Sequence, residues 1–184
     1  HSELVTEKFK KSGGVMQGLQ IWINLPRKNK KVKPWYQHIK KSSIPTVLEN
    51  NNIEIKVLVG EVNGVKSKVQ TYSPVSIFDI QFSNPDTTSF KVDKRQNMMI
   101  YVIDGELQFS VSNKLASKGD MIFFDQSSDD VSITSISQSG SYLVLAGEAI
   151  NEPIARYGPF VTNTEGEIKQ AMLDYQEGKM GVLN

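Results

Sequence analysis

Hydrophobic and polar positions alternate with a period of two in short runs along most of the chain. The first run, residues 18–26, reads GLQIWINLP and places Leu19, Ile21 and Ile23 on one face. Alternation of this kind predicts β-strands with one buried face. Further strand-like runs lie at 53–62, 74–82, 97–111, 119–124, 131–136 and 142–148.

Turn-forming residues separate these runs: Asn63-Gly64, Asn84-Pro85-Asp86, Asp104-Gly105 and Ser139-Gly140. These residues favour tight reversals because glycine and asparagine accept the left-handed backbone conformation and proline cannot donate to a strand ladder. Many short strands joined by closely spaced turns predict an all-β sandwich or barrel.

One helix is predicted near the end of the sequence, over about 164–177. Thr164 and Glu167 have the spacing of a capping box, in which each side chain bonds the backbone N–H of the other residue. The apolar stripe that follows consists of Ile168, Ala171, Met172 and Tyr175. Gly178 is placed to end the helix. The stripe needs an apolar surface to cover it, so we expect the helix to dock on β-structure.

The composition is that of an ordinary globular protein. Hydrophobic residues make up 39% and charged residues 22% of the 184 positions, which excludes disordered and fibrous classes. No apolar run approaches the roughly 18 residues that a membrane-spanning helix needs. The absence of cysteine excludes disulfides, thiolate zinc sites and cysteine nucleophiles, and it agrees with an intracellular location.

Charge is distributed unevenly along the sequence. Residues 1–45 carry ten Lys and Arg against Glu3 and Glu7, while the remainder carries eleven basic and eighteen acidic residues. The densest stretch, residues 27–41, holds seven basic residues and no acidic one. It has two interpretations, a contact with phosphate or nucleic acid and a solvated loop. We favour the solvated loop and do not expect direct nucleic-acid binding.

The strongest candidate chemistry lies at the first residues, where His1 and Glu3 form an H-x-E pair. On a strand both side chains point to the same face, so they supply half of a metal site. A non-haem iron site usually needs two imidazoles and a carboxylate, and the only other histidine is His38. His38 would have to fold back from the basic loop, and a surface histidine is the simpler interpretation. Two ligands on a terminal strand predict weak metal binding.

Two other groups of residues invite a functional interpretation. Trp22 alternates with the apolar positions of residues 18–26, so it is a candidate pocket residue, with ordinary packing as the alternative.

Glu148 and Glu152 flank the last strand of the predicted sheet. Paired carboxylates suit acid–base catalysis, but a salt bridge with Arg156 accounts for them more simply.

Three stretches together carry a family resemblance: GLQIWINLP at 18–26, KPWYQHIKKSSIP at 33–45 with VLVGEVNGVKS at 57–67, and AGEAINEPIARYGPFVTNTEGEIKQAMLDYQEGK at 146–179. With these stretches the sequence resembles the pirin family of the cupin superfamily. The resemblance extends along essentially the whole chain, and the last stretch is the most specific. It implies two stacked cupin barrels, each a double-stranded β-helix or jelly roll.

The resemblance also implies how the domains are divided. Residues 1–45 match the C-terminal remnant of the first, metal-binding barrel, residues 46–150 a complete second barrel, and residues 151–184 a helical tail. In the family, the first barrel holds a single iron through an H-x-H pair and a later H-x-E pair. His1 and Glu3 match the H-x-E pair, and no H-x-H strand precedes them in this sequence.

The second barrel is expected to be metal-free. By the same resemblance, its H-x-H position reads Lys91-Val92-Asp93 and its H-x-E position reads Ser132-Ile133-Thr134. Lysine, serine and threonine are poor iron ligands, and one aspartate does not bind tightly alone.

Members of the family are associated with iron-dependent dioxygenase chemistry of the quercetin 2,3-dioxygenase type and with co-regulation of transcription through protein partners. We expect this chain alone to be a binding or regulatory module without catalytic residues. The alternative is the dioxygenase, once an upstream H-x-H strand is present. An incomplete first barrel would expose strand edges, which predicts self-association or a protein partner. The resemblance implies residence in the cytoplasm, the nucleus or both.

Overall fold

The computed structural model describes residues 5–110, 112–125 and 129–181, which form two compact units. The barrel unit is Val32–Ile150, and the tail unit combines the chain up to Lys31 with the chain from Asn151 onward. The predicted barrel at 46–150 lies within the barrel unit. That unit begins earlier because residues 35–45 are hydrogen-bonded to it, for instance through Gln37 and the backbone of Gln70.

The barrel unit consists almost entirely of short strands. They are β1 (Thr46–Glu49), β2 (Ile53–Val59), β3 (Glu61–Val62), β4 (Val65–Lys66), β5 (Val75–Phe82), β6 (Asp86–Lys91), β7 (Gln96–Asp104), β8 (Glu106–Phe109), β9 (Lys114–Ser117), β10 (Met121–Phe123), β11 (Asp130–Ser135) and β12 (Gly140–Glu148). A short 3₁₀ turn, Lys41–Ser43, precedes β1.

Two antiparallel sheets enclose one core. The larger sheet has the order β1-β2-β5-β12-β7-β10 and the smaller one β6-β11-β8-β9. Strands distant in sequence are neighbours in both sheets, such as β5 beside β12 and β6 beside β11. Crossovers of this kind are those of a jelly roll, so the all-β prediction is confirmed.

The core is formed by the inward-facing residues of both sheets. Ile55, Phe78 and Ile100 from the larger sheet are fully buried, as are Leu107 and Ile133 from the smaller one. Burying a side chain of this size stabilises the fold by about 1.5–3 kcal/mol, so the apolar interior is the main source of stability.

One predicted strand is absent from the structure. Residues 18–26 have the right alternation, yet the structure assigns them no strand, and Ile21 and Ile23 are exposed. A strand is stable only when a neighbouring backbone satisfies its hydrogen bonds. No described strand pairs with this run, so its pattern alone does not make it a strand.

The tail unit contains two helices and a small hairpin. These elements are α1 (Glu7–Ser12), a 3₁₀ turn (Arg27–Asn29), β13 (Ala155–Tyr157), β14 (Phe160–Thr162) and α2 (Glu165–Gln176). The predicted helix is α2, and its N-cap bond is present: Thr164 Oγ1 accepts from Glu167 N at 3.2 Å. The rings of Phe160 and Tyr175 pack edge to face against each other. Among the described helices, none has the length and apolar character that a membrane crossing requires.

Candidate functional site

Of the site residues predicted from the sequence, the structure describes Trp22 but not His1 and Glu3. His1 and Glu3 fall outside the described residues. Trp22 is described, and the residue is 63% exposed. Its indole Nε1 donates to Gln20 Oε1 at 3.1 Å. Trp22 as a substrate-pocket residue therefore stays a prediction, and its side chain is available to solvent.

Inside the barrel, strand alternation decides which side chains face the interior. Val92 and Ile133, the middle residues of the two predicted motif positions, are buried, with 7% and 0% exposure. Lys91, Asp93 and Ser132, which flank them, are exposed. Because neighbouring side chains on a strand point to opposite faces, the residues assigned to the ligand positions face outward.

The inward positions are therefore one residue away from those assigned by resemblance. On β6 and its continuation they are Thr88, Phe90 and Val92, and on β11 they are Val131, Ile133 and Ser135. Thr88 lies opposite Ile133, and Phe90 opposite Val131, in the β6–β11 register. None of these side chains is a good iron ligand, so the described interior does not fit iron. Within the described ranges, no group of three His, Cys, Asp or Glu residues could hold a metal ion.

The outward-facing residues are engaged with one another instead. Arg95 Nε donates to Asp93 Oδ1 at 3.0 Å, and this guanidinium lowers the pKa of Asp93 to about 2. Arg95 Nη2 also lies 3.8 Å from Glu148 Oε1. Thr87 and Thr134 share a hydroxyl–hydroxyl hydrogen bond of 3.0 Å. These contacts hold the barrel surface together and leave Asp93 a poor candidate for metal binding.

The predicted salt bridge of Glu148 and Glu152 with Arg156 is replaced by other contacts. Gln96 lies opposite Glu148 in the β7–β12 register, which brings the neighbouring Arg95 to Glu148. Glu152 Oε2 instead accepts from the backbone N of Arg27 at 2.7 Å and from Asn163 Nδ2 at 3.0 Å. Glu148 thus forms an ion pair with Arg95, and Glu152 accepts hydrogen bonds from Arg27 and Asn163, so each carboxylate has partners other than Arg156.

A cavity of about 450 Å³ opens on the outside of the barrel unit. It lies between residues 35–45, which we call the strap, and the end of β2. His38 and Lys68 line it together with apolar residues such as Ile44, Val59 and Val69. No pattern in the sequence groups these residues, because they are brought together by contacts between distant segments, such as Gln37 with Gln70. The only available signal was the combination of His38 with aromatic residues in a basic stretch.

Comparison with protein families identifies the barrel. The family model described as the pirin C-terminal cupin domain matches residues 77–181, which is more than half of the chain. The match includes most of the strands of both sheets and the helix α2. The cupin fold expected from the sequence is thereby confirmed.

Individual relatives agree with the family model. Pirin-like protein 2 of Arabidopsis thaliana is 35% identical over 98% of this chain and 56% of its own length. Pirin of Rattus norvegicus is 33% identical over 89% of this chain and 57% of its own length. A solved structure of quercetin 2,3-dioxygenase from Acinetobacter baumannii superposes with a TM-score of 0.82 at 28% identity, covering 89% of this chain and 56% of that chain. The chain thus spans just over half the length of these relatives.

Proposed function

The chain belongs to the pirin family, and from this premise we propose that its barrel unit is a metal-free binding module that performs no oxygenase chemistry by itself. The observation that carries the proposal is the composition of the barrel interior. Where a metal-binding cupin needs imidazoles and carboxylates, the inward positions of β6 and β11 are Thr88, Phe90, Val131, Ile133 and Ser135.

In this proposal the candidate iron ligands are His1 and Glu3, and the described barrel residues do not bind the ion. His1 and Glu3 offer an imidazole nitrogen and a carboxylate oxygen, which are suitable iron ligands. They match two of the four ligands that the family resemblance implies. We expect this chain alone to bind iron weakly.

The second candidate function is an iron-dependent dioxygenase of the quercetin 2,3-dioxygenase type. The likeness to the Acinetobacter baumannii quercetin 2,3-dioxygenase, at a TM-score of 0.82, favours it. Iron would supply the open coordination positions at which dioxygen and substrate are activated. The described residues of this chain offer no ligand set for that chemistry, so we assign the dioxygenase only to a protein in which His1 and Glu3 gain further ligands.

Two measurements on the purified chain test this assignment. Iron bound after anaerobic loading with Fe(II) and gel filtration is expected to stay well below one ion per chain. Dioxygen uptake is expected to be the same with and without quercetin. The His1→Ala/Glu3→Ala variant is the matched control and should reduce the residual iron further. One tightly held iron per chain, or uptake that depends on quercetin, would contradict the proposal.

We further propose that the exposed apolar side chains of residues 15–23 bind a second copy of the chain. Val15, Met16 and Trp22 are 95%, 71% and 63% exposed. Exposed apolar runs with strand-like alternation favour pairing with another chain. Light scattering coupled to size exclusion is expected to show a mass that rises with concentration above 20.6 kDa. A constant monomer mass over the same concentrations would exclude this association.

A further inference from the structure

The cavity beside the strap is a candidate for a second, separate binding site. Its residues all belong to the barrel unit, and none of them is one of the family's metal-ligand positions. A volume of about 450 Å³ lies in the range of about 300–1,000 Å³ that is typical of small-molecule pockets. Its walls and its charge indicate which kind of molecule would fit.

One wall of the cavity is formed by an irregularity in β2. The β2–β5 register shifts between Val57 and Val59, which makes a β-bulge at Leu58. Ser67 Oγ donates to the displaced Leu58 carbonyl at 2.7 Å and accepts from Val69 N at 3.1 Å. A bulge re-aims neighbouring side chains, and bulges are often found beside functional sites. Here the bulge is held by hydrogen bonds, so this wall is a defined surface.

The opposite wall is the strap, which is fixed at both ends. Gln37 Nε2 donates to Gln70 O and Gln37 Oε1 accepts from Gln70 N, both at 3.0 Å. Trp35 Nε1 donates to Tyr72 OH at 3.1 Å, and Val57 N donates to Pro45 O at 2.8 Å. A strap held in this way keeps the cavity open before any ligand arrives, which lowers the entropic cost of binding.

The lining combines an apolar surface with positive charge. Ile44, Val59 and Val69 present apolar side chains, and the described lining residues include His38 and Lys68 but no Asp or Glu. Lys40 and Lys41 follow the lining residue Ile39 directly in the strap. An apolar body with one anionic group therefore matches the lining in both shape and charge.

From these walls and this lining, we infer that the strap cavity binds a small organic anion with an aromatic or aliphatic body. Lys68 contacts its carboxylate or sulfonate, while Ile44, Val59 and Val69 contact its apolar part. This inference deepens the proposed role as a binding module. Its test measures affinity for an organic anion, whereas the proposed function is tested by iron content, so either can fail without the other.

Two fluorescent probes that differ mainly in charge test the inference on the 184-residue chain. One is 1-anilinonaphthalene-8-sulfonate, which is anionic, and the other is N-phenyl-1-naphthylamine, which is neutral. We expect one anionic probe to bind per chain. Lys68→Glu should weaken its affinity about fivefold at low ionic strength, because a favourable charge becomes a repulsive one. The affinity for the neutral probe should not change.

Lys114→Glu is the matched control. Lys114 is an exposed lysine on β9, in the other sheet, and its substitution by Glu changes the net charge by the same amount as Lys68→Glu. It should leave both affinities unchanged. Val69→Trp, which fills the cavity, should weaken both probes. Amide shift perturbations on adding the anionic probe should fall on residues 36–45 and 57–69. Equal effects of Lys68→Glu and Lys114→Glu, or perturbations confined to residues 15–23, would overturn the inference.

Discussion

The direction of single side chains decides what the barrel interior can do. Val92 and Ile133 occupy the inward positions, and the polar residues beside them face outward and bond one another. A one-residue error in register moves every side chain to the other face, which is why resemblance alone assigned Lys91 and Ser132 to the interior. Neither register brings a set of imidazole and carboxylate ligands into the interior, so the conclusion about iron holds for both.

Gly140 is a position where a single added methyl group should be costly. A Cβ there would overlap the carbonyl oxygen of Asp104 and lie 2.5 Å from Cζ of Phe82. Because both neighbours are packed at the start of β12, we expect Gly140→Ala to lower the free energy of unfolding by about 3 kcal/mol. Urea denaturation measures the loss.

Gly166 provides the control for this substitution. A Cβ at Gly166 would meet no atom within 4 Å, and the residue lies in the first turn of α2. Gly166→Ala should therefore be neutral or raise stability by up to about 0.5 kcal/mol, since alanine favours helix. Equal effects of the two substitutions would show that space around Gly140 is not the cause.

Tyr142 gives the barrel a dependence on alkaline pH. Its side chain is fully buried, and burial raises the pKa of its phenol well above the usual 10.0. Above about pH 10 the unfolded chain loses this proton while the folded chain keeps it, so stability falls as the pH rises.

Comparison of wild type with Tyr142→Phe isolates this effect. The stability difference between them should shift in favour of Tyr142→Phe by up to about 1.4 kcal/mol for each pH unit above 10. Urea denaturation from pH 8 to pH 11 measures it. A difference that stays constant over this range would mean that Tyr142 ionises equally in both states.

Among the elements, α2 shows which contacts the local sequence predicts and which it does not. The sequence predicts the capping box of Thr164 and Glu167, and Thr164 has its expected role, because its Oγ1 accepts from Glu167 N. Glu167 also makes two hydrogen bonds that the sequence does not predict: its carboxylate accepts from Asn163 N at 3.0 Å and from Arg27 Nη2 at 3.1 Å. The hydrogen bond from Asn163 is the main reason that the pKa of Glu167 is lowered.

Loss of the cap should loosen α2 without unfolding the barrel unit. We expect Thr164→Ala to reduce the free energy of helix opening by about 1 kcal/mol, because the N–H of Glu167 loses its acceptor. Hydrogen exchange of the α2 amides should become about fivefold faster, while amides of β5 and β12 keep their protection. Thr164→Ser retains the hydroxyl and should behave as wild type, and matching acceleration in both variants would argue against capping.

In the molecule as a whole, the sequence predicted what depends on local pattern and missed what depends on pairing between distant segments. Hydrophobic patterning located β2, β5, β7 and β12, because these strands contribute many side chains to the buried core. It also suggested a strand at 18–26, which lacks a partner among the described strands. The strap cavity was not predictable, since it depends on contacts such as Gln37 with Gln70 across 33 positions.

We propose that the barrel unit does not bind metal and that His1 and Glu3 are the metal-binding residues of this chain. Paramagnetic broadening of amide signals by Mn(II) tests it most directly, because only amides near the bound ion lose intensity. The account predicts that the amides of β6 and β11 keep their intensities, and that any broadening near the first residues disappears in His1→Ala/Glu3→Ala. Selective broadening of β6 and β11 that persists in this variant would contradict it.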